Sequence, residues 1–437
     1  MTAAALIAST RFGFAARQGD LAAIGRDPRG WALRQLDQNP PPFPGDLPAS
    51  APMVAAVLES RKDKEIKSEL KERIRSTHLA EVEARIAGAA ESETPLLDRL
   101  QMFWANHFTV SGLRPVVRGF AGAFEREAIR PHMLGSFQEL LLAVAQHPAM
   151  LFYLDNIQSF GPQSQAGRRQ NRGLNENLGR EILELHTLGV DGGYSQSDVE
   201  ALAGILTGWS IAPLRDPEPG RFLFAPRAHE PGVKFLLGRT YLENGMLEGV
   251  QALSDIARHP STARHVARKL ATHFIADDPP QASVERIAKV FHDTQGDLKA
   301  VTAAVIRDEA VWREPLTKVR TPTELVIAAF RVTGVRPSGQ AADRSLRVLD
   351  QPCFLAPSPA GWPDRASAWI SPEAVLRRAE WCQTFANRLP NPPDPSEIAR
   401  AAFGEDVAVE TRQAVERASS RRMALALLLA SPEFQRR

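Results

Sequence analysis

Cysteine is almost missing from this chain: two in 437 residues, Cys353 and Cys382. Two thiols build no disulfide framework and have no metal-ligand spacing, so both are expected free and buried in a reducing compartment. Net charge is nearly missing too. At +2 the chain has no strong field to draw it to nucleic acid or a membrane surface. No apolar run approaches the roughly 20 residues that cross a bilayer. The N-terminal MTAAALIASTRFGFAAR has an Ala-rich patch but no basic stretch before it and no long apolar core after it. It does not read as a signal peptide, and the default location is the cytoplasm. Three tyrosines and few β-branched alternations leave little material for sheet. Phosphate-binding and dinucleotide glycine loops, HExxH and the GxSxG elbow are all missing. No fixed-period repeat appears, which argues against a solenoid.

What is present is alanine and leucine at helical spacing. Apolar content of 43% with 24% charged residues is that of an ordinary globular protein, long enough for a sizeable core. The expected fold is mainly α: a single multi-helix domain with long irregular loops and one short β-hairpin within FLFAPRAHEPGVKFLLG (222–238). Residues 1–52 read as short helices followed by a Pro-rich loop (39–52), where proline resists helix. Residues 53–90 read as one long helix, highly charged from Arg61 to Arg85 with both signs mixed. Such mixing predicts a solvated face, a helical hairpin or a dimer contact rather than a nucleic-acid patch. Residues 94–437 form the main helical body. His147-Pro148 marks a break between helices. Arg264, Arg268 and Lys269 give one helix a local basic face, too little in a near-neutral chain to imply nucleic acid.

The densest polar cluster lies in NENLGREILELHTLG (175–189). Asn175 is placed as the cap, its side chain accepting backbone N–H groups that open a helix. Glu176 falls in the first turn, where the helix dipole favours a carboxylate and Arg180 is one turn on. Gly189 ends the helix, and Ser195 with Asp198 forms a capping box that restarts the chain as a second helix. At about 100° per residue, Asn177, Arg180, Glu181 and Glu184 share one sector. The bland reading is a surface face with a Glu176–Arg180 pair. The sharper one is a polar wall lining a pocket. His186 lies about 140° from Glu181 around the same wheel, on the wrong side for joint ligation. His107 shares the apolar face of its helix with Leu96, Leu100 and Phe103. It reads as a core histidine or as a buried base beside Asn106. His229 and Glu230 sit on a long loop between Pro226 and Pro231, a better place for a functional histidine.

FWANHFTVS (103–111), HPAMLFYLDN (147–156), the 175–189 segment, YSQSDVEALAGILTGW (194–209) and GWP (361–363) together resemble a bacterial family, domain of unknown function 1800. The resemblance covers nearly the whole chain and implies one family domain. The family pattern coincides with Asn106, His107, Asn175, Glu176, Asn177, Arg180, Glu181, Glu184, His229 and Trp362. At His186 it departs, since the family has an aromatic there. The resemblance also implies a sulfatase-like protein encoded nearby as a partner, and export to the periplasm, which the missing signal opposes. It implies no activity.

From residues and resemblance together, the leading expectation is a hydrolase-like pocket. Glu181 and Glu184 act as base or as oxygen ligands of a divalent metal ion. His107 and His229 act as acid–base partners or nitrogen ligands. Asn106, Asn175, Glu176, Asn177, Arg180 and Trp362 orient the substrate. The rival is a non-catalytic interaction or scaffold protein, with the polar cluster serving as a structural network.

Overall fold

Several helices of this chain begin where a short polar side chain caps them. Ser136–Glu139, Ser195–Asp198 and Thr321–Glu324 all form complete capping boxes, each side chain bonded to the other residue's backbone N–H. His147 ends one helix, Phe137–Gln146, and caps the next, Pro148–Tyr153, by accepting the Ala149 N–H at 3.1 Å. The computed structural model describes residues 2–40, 42, 43, 45–60, 64–404 and 407–437. The fold is mainly helical.

The first helix, α1 (Ala3–Arg11), is buried along most of its length. The charged stretch expected as one helix is two: α2 (Ser50–Ser60) and α3 (Lys64–Glu91), packed against each other. Residues 61–63 lie outside the described residues, as do Pro41 and Pro44 of the Pro-rich loop. The first half of α3 is largely exposed, as its mixed charges predict. From Thr77 onward it turns inward, burying Val82, Ile86 and Ala89. There Glu81 and Arg85 meet Arg126 and Glu125 at 2.7 and 3.0 Å instead of facing water.

Next come α4 (Pro95–His107), α5 (Phe137–Gln146), α6 (Asn177–Glu181) and α7 (Gln196–Ile205). After α7 the single hairpin expected at 222–238 is replaced by two. β1 (Trp209–Ile211) pairs antiparallel with β2 (Phe222–Phe224), and β3 (Lys234–Leu236) with β4 (Arg239–Tyr241). FLFAPRAHEPGVKFLLG is therefore split, each half finding its partner outside the segment. Helices α8 (Met246–Ala257), α9 (Pro260–Phe274) and α10 (Gln281–Asp293) follow, with α9 packed on α10. Toward the C-terminus stand α11 (Pro322–Thr333), α12 (Pro372–Arg388) and α13 (Arg421–Ala430).

Two large apolar clusters result. One gathers Trp104, Phe108, Phe137, Leu141, Val266, Leu270 and Phe274 from α4, α5 and α9. The other gathers Val82, Ile86, Leu325, Trp381, Phe385 and Leu428 from α3, α11, α12 and α13. Each fully buried large side chain contributes about 1.5–3 kcal/mol. Phe354 packs against both clusters, marking a seam between them.

Candidate functional site

The NENLGRE helix starts one residue later than expected: Glu176, not Asn175, occupies the cap position, and Asn175 bonds just ahead of it. The Asn175 side chain accepts the Asn177 N–H at 2.9 Å. Glu176 accepts from Arg180 at 2.7 Å and from Gln196 on α7 at 2.9 Å, and Arg180 also reaches Gln196 at 3.0 Å. This polar group ties α6 to α7 at a half-exposed edge, and Asn177 is exposed. Beyond Glu181 the helix widens into a π turn, Ile182–His186. A π turn winds more slowly than 100° per residue, so the angular count that placed His186 loses its footing there. Glu181 and Glu184 are partly buried neighbours. Burial first, and then the Glu184 charge, push the Glu181 carboxyl upward. Burial, then the Glu184 charge, push the Tyr194 hydroxyl upward.

His229 is buried elsewhere. Its Nδ1 donates to the Thr207 carbonyl at 2.9 Å, and its Nε2 meets Glu248 at 3.1 Å. The same carboxylate oxygen takes Lys234 at 3.1 Å. Both ring nitrogens are engaged, in a cluster that fastens the β3 strand to α8. His107 touches the π turn from behind: its Nε2 donates to the His186 carbonyl at 3.0 Å. Among the described residues, no hydrogen bond or ion pair joins His107 or His229 to Glu181 or Glu184. The carboxylates and imidazoles expected to converge are therefore held in separate networks. No group of three or more His, Cys, Asp or Glu with metal-binding geometry occurs among the described residues. The donor set expected for a divalent ion is not assembled.

A cavity of about 450 Å³ opens instead at the seam, between α4, α9, the start of α11 and the 351–365 loop. Three of the expected residues line it: Asn106, His107 and Trp362. Asn106 locks the loop by a reciprocal pair, donating to the Trp362 carbonyl at 2.8 Å and accepting the Trp362 N–H at 2.7 Å. Gly361 makes this possible. Its φ is +77°, and a Cβ there would stand 2.5 Å from the Asn106 carbonyl oxygen.

The groups that sequence reasoning passed over come from α9. His265, Lys269 and His273 recur every four residues, so they stand one above another along one face, and all three line the cavity. His265 donates through Nε2 to the Leu185 carbonyl at 3.0 Å, the carbonyl next to the one His107 holds. Burial, then the Lys269 charge, lower the His265 ring to about 4 and the His186 ring to about 3, and hold His107 well below its usual value. All three are neutral at pH 7. The His107 Nδ1 and both nitrogens of His186 have no hydrogen-bond partner among the described residues. Burial also lowers the Lys269 ammonium, against the pull of Asp364. Among the described residues Lys269 has neither a hydrogen bond nor an ion pair.

One turn further on, the His273 Nδ1 stands 2.6 Å from Asp364 Oδ2. Burial pushes the Asp364 carboxyl up, but His273, Arg437 and Lys318 outweigh it, and the net shift is downward. Asp364 is therefore ionised and accepts, so Nδ1 carries the proton. Burial lowers the His273 ring overall, which leaves its Nε2 a bare lone pair, again without a partner among the described residues. Beneath lie Arg99 and Glu324, a buried ion pair in direct contact, with Arg437 bonded to the same carboxylate at 3.1 Å. Arg99 and Arg437 draw the Glu324 carboxyl well below its usual range, overcoming the opposing and larger effect of burial. Cys353 also lines the cavity, but burial pushes its thiol up to about 12, which removes it as a nucleophile.

A family model described as "Protein of unknown function (DUF1800)" matches residues 7–436. No curated protein and no solved structure matches the chain.

Proposed function

The chain belongs to the DUF1800 family, and we propose that it is a hydrolase-like enzyme whose reaction centre is the seam cavity. The carrying observation is the His273–Asp364 pair, with Nε2 of His273 buried and without a partner among the described residues and Lys269 one helical turn away. An ionised carboxylate on Nδ1 fixes the tautomer that makes Nε2 a base, the logic of catalytic Asp–His pairs in general. In this reading substrate binding opens Nε2, buried in the free chain, to a water molecule, which gives it a proton and attacks the substrate. The Lys269 ammonium stabilises the negative charge that develops beside it. No nucleophilic side chain is required.

The test is hydrolysis of p-nitrophenyl carboxylate, phosphate and sulfate esters by the purified full chain and by His273→Gln. At least one ester class is expected to turn over, with kcat about 10²–10⁴-fold lower in the variant. No turnover across the panel, or equal rates in the two proteins, overturns the reading.

The second reading, a structural role, is favoured for one part of the chain only. The Glu176–Arg180–Gln196 group has every charge paired within the protein and bridges two helices at the surface. It behaves as a tie between α6 and α7 rather than as a substrate clamp.

A further inference from the structure

Cancelling the charges that pair with one another leaves the cavity lopsided. Arg85 is matched by Glu125, Arg99 by Glu324, and Arg365 by Asp278. Asp364 is matched by Arg437 at 3.5 Å, while the neutral His273 only donates to it. Among the described residues no carboxylate bonds to Lys269, though the Asp364 charge acts on it from a distance. Among the described residues Arg268, which also lines the cavity, bonds only the neutral Gln281 side chain, at 3.2 Å. The imidazoles around Lys269 are neutral and offer no counter-charge. A half-buried ammonium that faces a cavity and has no anion bonded to it among the described residues is open to an anion supplied from outside.

Met102, Val110, Phe124 and Phe354 also line the cavity and give it apolar surface, with the Arg85 guanidinium 5.4 Å over the Phe354 ring. A site with one cationic point and one greasy wall discriminates by the joint presence of both features in its ligand. The volume of about 450 Å³ admits a body of roughly two fused rings, or a medium alkyl chain, together with its head group.

We propose that the ligand of this cavity is an amphiphilic organic anion, its acidic head on Lys269 and its apolar body along Met102, Val110, Phe124 and Phe354. This rests on the reading of the cavity as the reaction centre, and it names the class of substrate that centre takes.

Two fluorescent probes with the same aromatic body test it: 8-anilinonaphthalene-1-sulfonate and its uncharged parent, N-phenyl-1-naphthylamine. The full chain is expected to bind the sulfonate saturably, one per chain, and at least about tenfold tighter than the parent. Lys269→Met should abolish that difference while leaving the affinity for the parent unchanged, and Lys269→Arg should restore part of it. Equal binding of the two probes by the wild-type chain overturns the proposal with no variant needed. So does the absence of saturable sulfonate binding, or a difference that survives Lys269→Met. The readout is affinity and needs no turnover. His273→Gln removes the proposed base and should leave the probe difference intact, so the ligand class and the reaction fail separately.

Discussion

His107 donates from Nε2 to the backbone carbonyl of His186 across 3.0 Å, while the His186 ring itself bonds to nothing among the described residues. The first imidazole is fixed by its partner's backbone, and the second is a buried polar ring with both nitrogens idle. An idle buried polar group costs about 1–3 kcal/mol. His186→Phe should therefore raise stability at pH 7 by about 1–2 kcal/mol, read as an increase in the urea midpoint. An unchanged or lower midpoint would contradict this account.

The same ring sets an acid dependence. Its folded-state value is about 3, and its unfolded value is about 6.5. Between these pH values the unfolded chain binds a proton that the folded chain refuses, so falling pH favours unfolding; above about 6.5 the ring has no effect. His265, lowered to about 4, acts in the same direction over a shorter range. Stability should fall from about pH 6.5 downward. His186→Phe should flatten that fall by up to about 1.4 kcal/mol per pH unit. Urea midpoints at pH 7, 6 and 5 measure it, and parallel curves for the two proteins would refute it.

Glu324→Gln should be severe. It leaves Arg99 and Arg437 buried without their shared carboxylate, at a cost of about 3–5 kcal/mol. The linkage has the carboxylate sign: the folded value lies below the unfolded one. The stabilisation is thus fully present above about pH 4.5 and is lost as pH falls toward the folded value. The variant should lack this acid-dependent loss as well as the stability. A midpoint close to wild type would show that the pair is dispensable.

Gly361→Ala strikes the loop lock. A methyl group would collide with the carbonyl and side-chain oxygens of Asn106, at 2.5 and 2.6 Å, from a backbone conformation that alanine adopts reluctantly. We expect a loss of at least about 2 kcal/mol, together with weaker binding of the sulfonate probe. Normal probe affinity would mean that the loop does not shape the cavity.

Glu181→Gln and Glu184→Gln separate the two candidate centres. Each removes one of two neighbouring like charges at a partly exposed site. Stability should stay level or rise by about 0.5 kcal/mol, and ester hydrolysis should match wild type. A large loss of turnover would return the reaction to the NENLGRE helix.

Much of the helical framework was legible in the chain because its signals are local. Asn175, Ser195–Asp198 and His147-Pro148 mark their helix boundaries with side chains that bond their own backbone. The hairpins were misjudged because strand pairing is not local: Phe222–Phe224 takes its partner from Trp209–Ile211. Asn106, His107 and Trp362, grouped from the sequence, line one cavity. Glu181 and Glu184 were grouped with them on helical angle alone, and angle says nothing of what stands opposite. The stripe His265–Lys269–His273 was visible at its spacing of four. Lys269 reads there as part of a basic face with Arg264 and Arg268, and the histidines one turn either side of it carry no signal of their own. Asp364, the partner that gives His273 its chemistry, lies 91 residues further along the chain and carries no local signal.

The cavity lies where the two apolar clusters abut, with Phe103 and Phe124 contributed by one and Phe14 and Cys353 by the other. Whatever occupies it touches both at once. An occupant thus acts as mortar between two masonry blocks, coupling the loosening of one to the other and making the melting of the whole chain more cooperative when the site is filled.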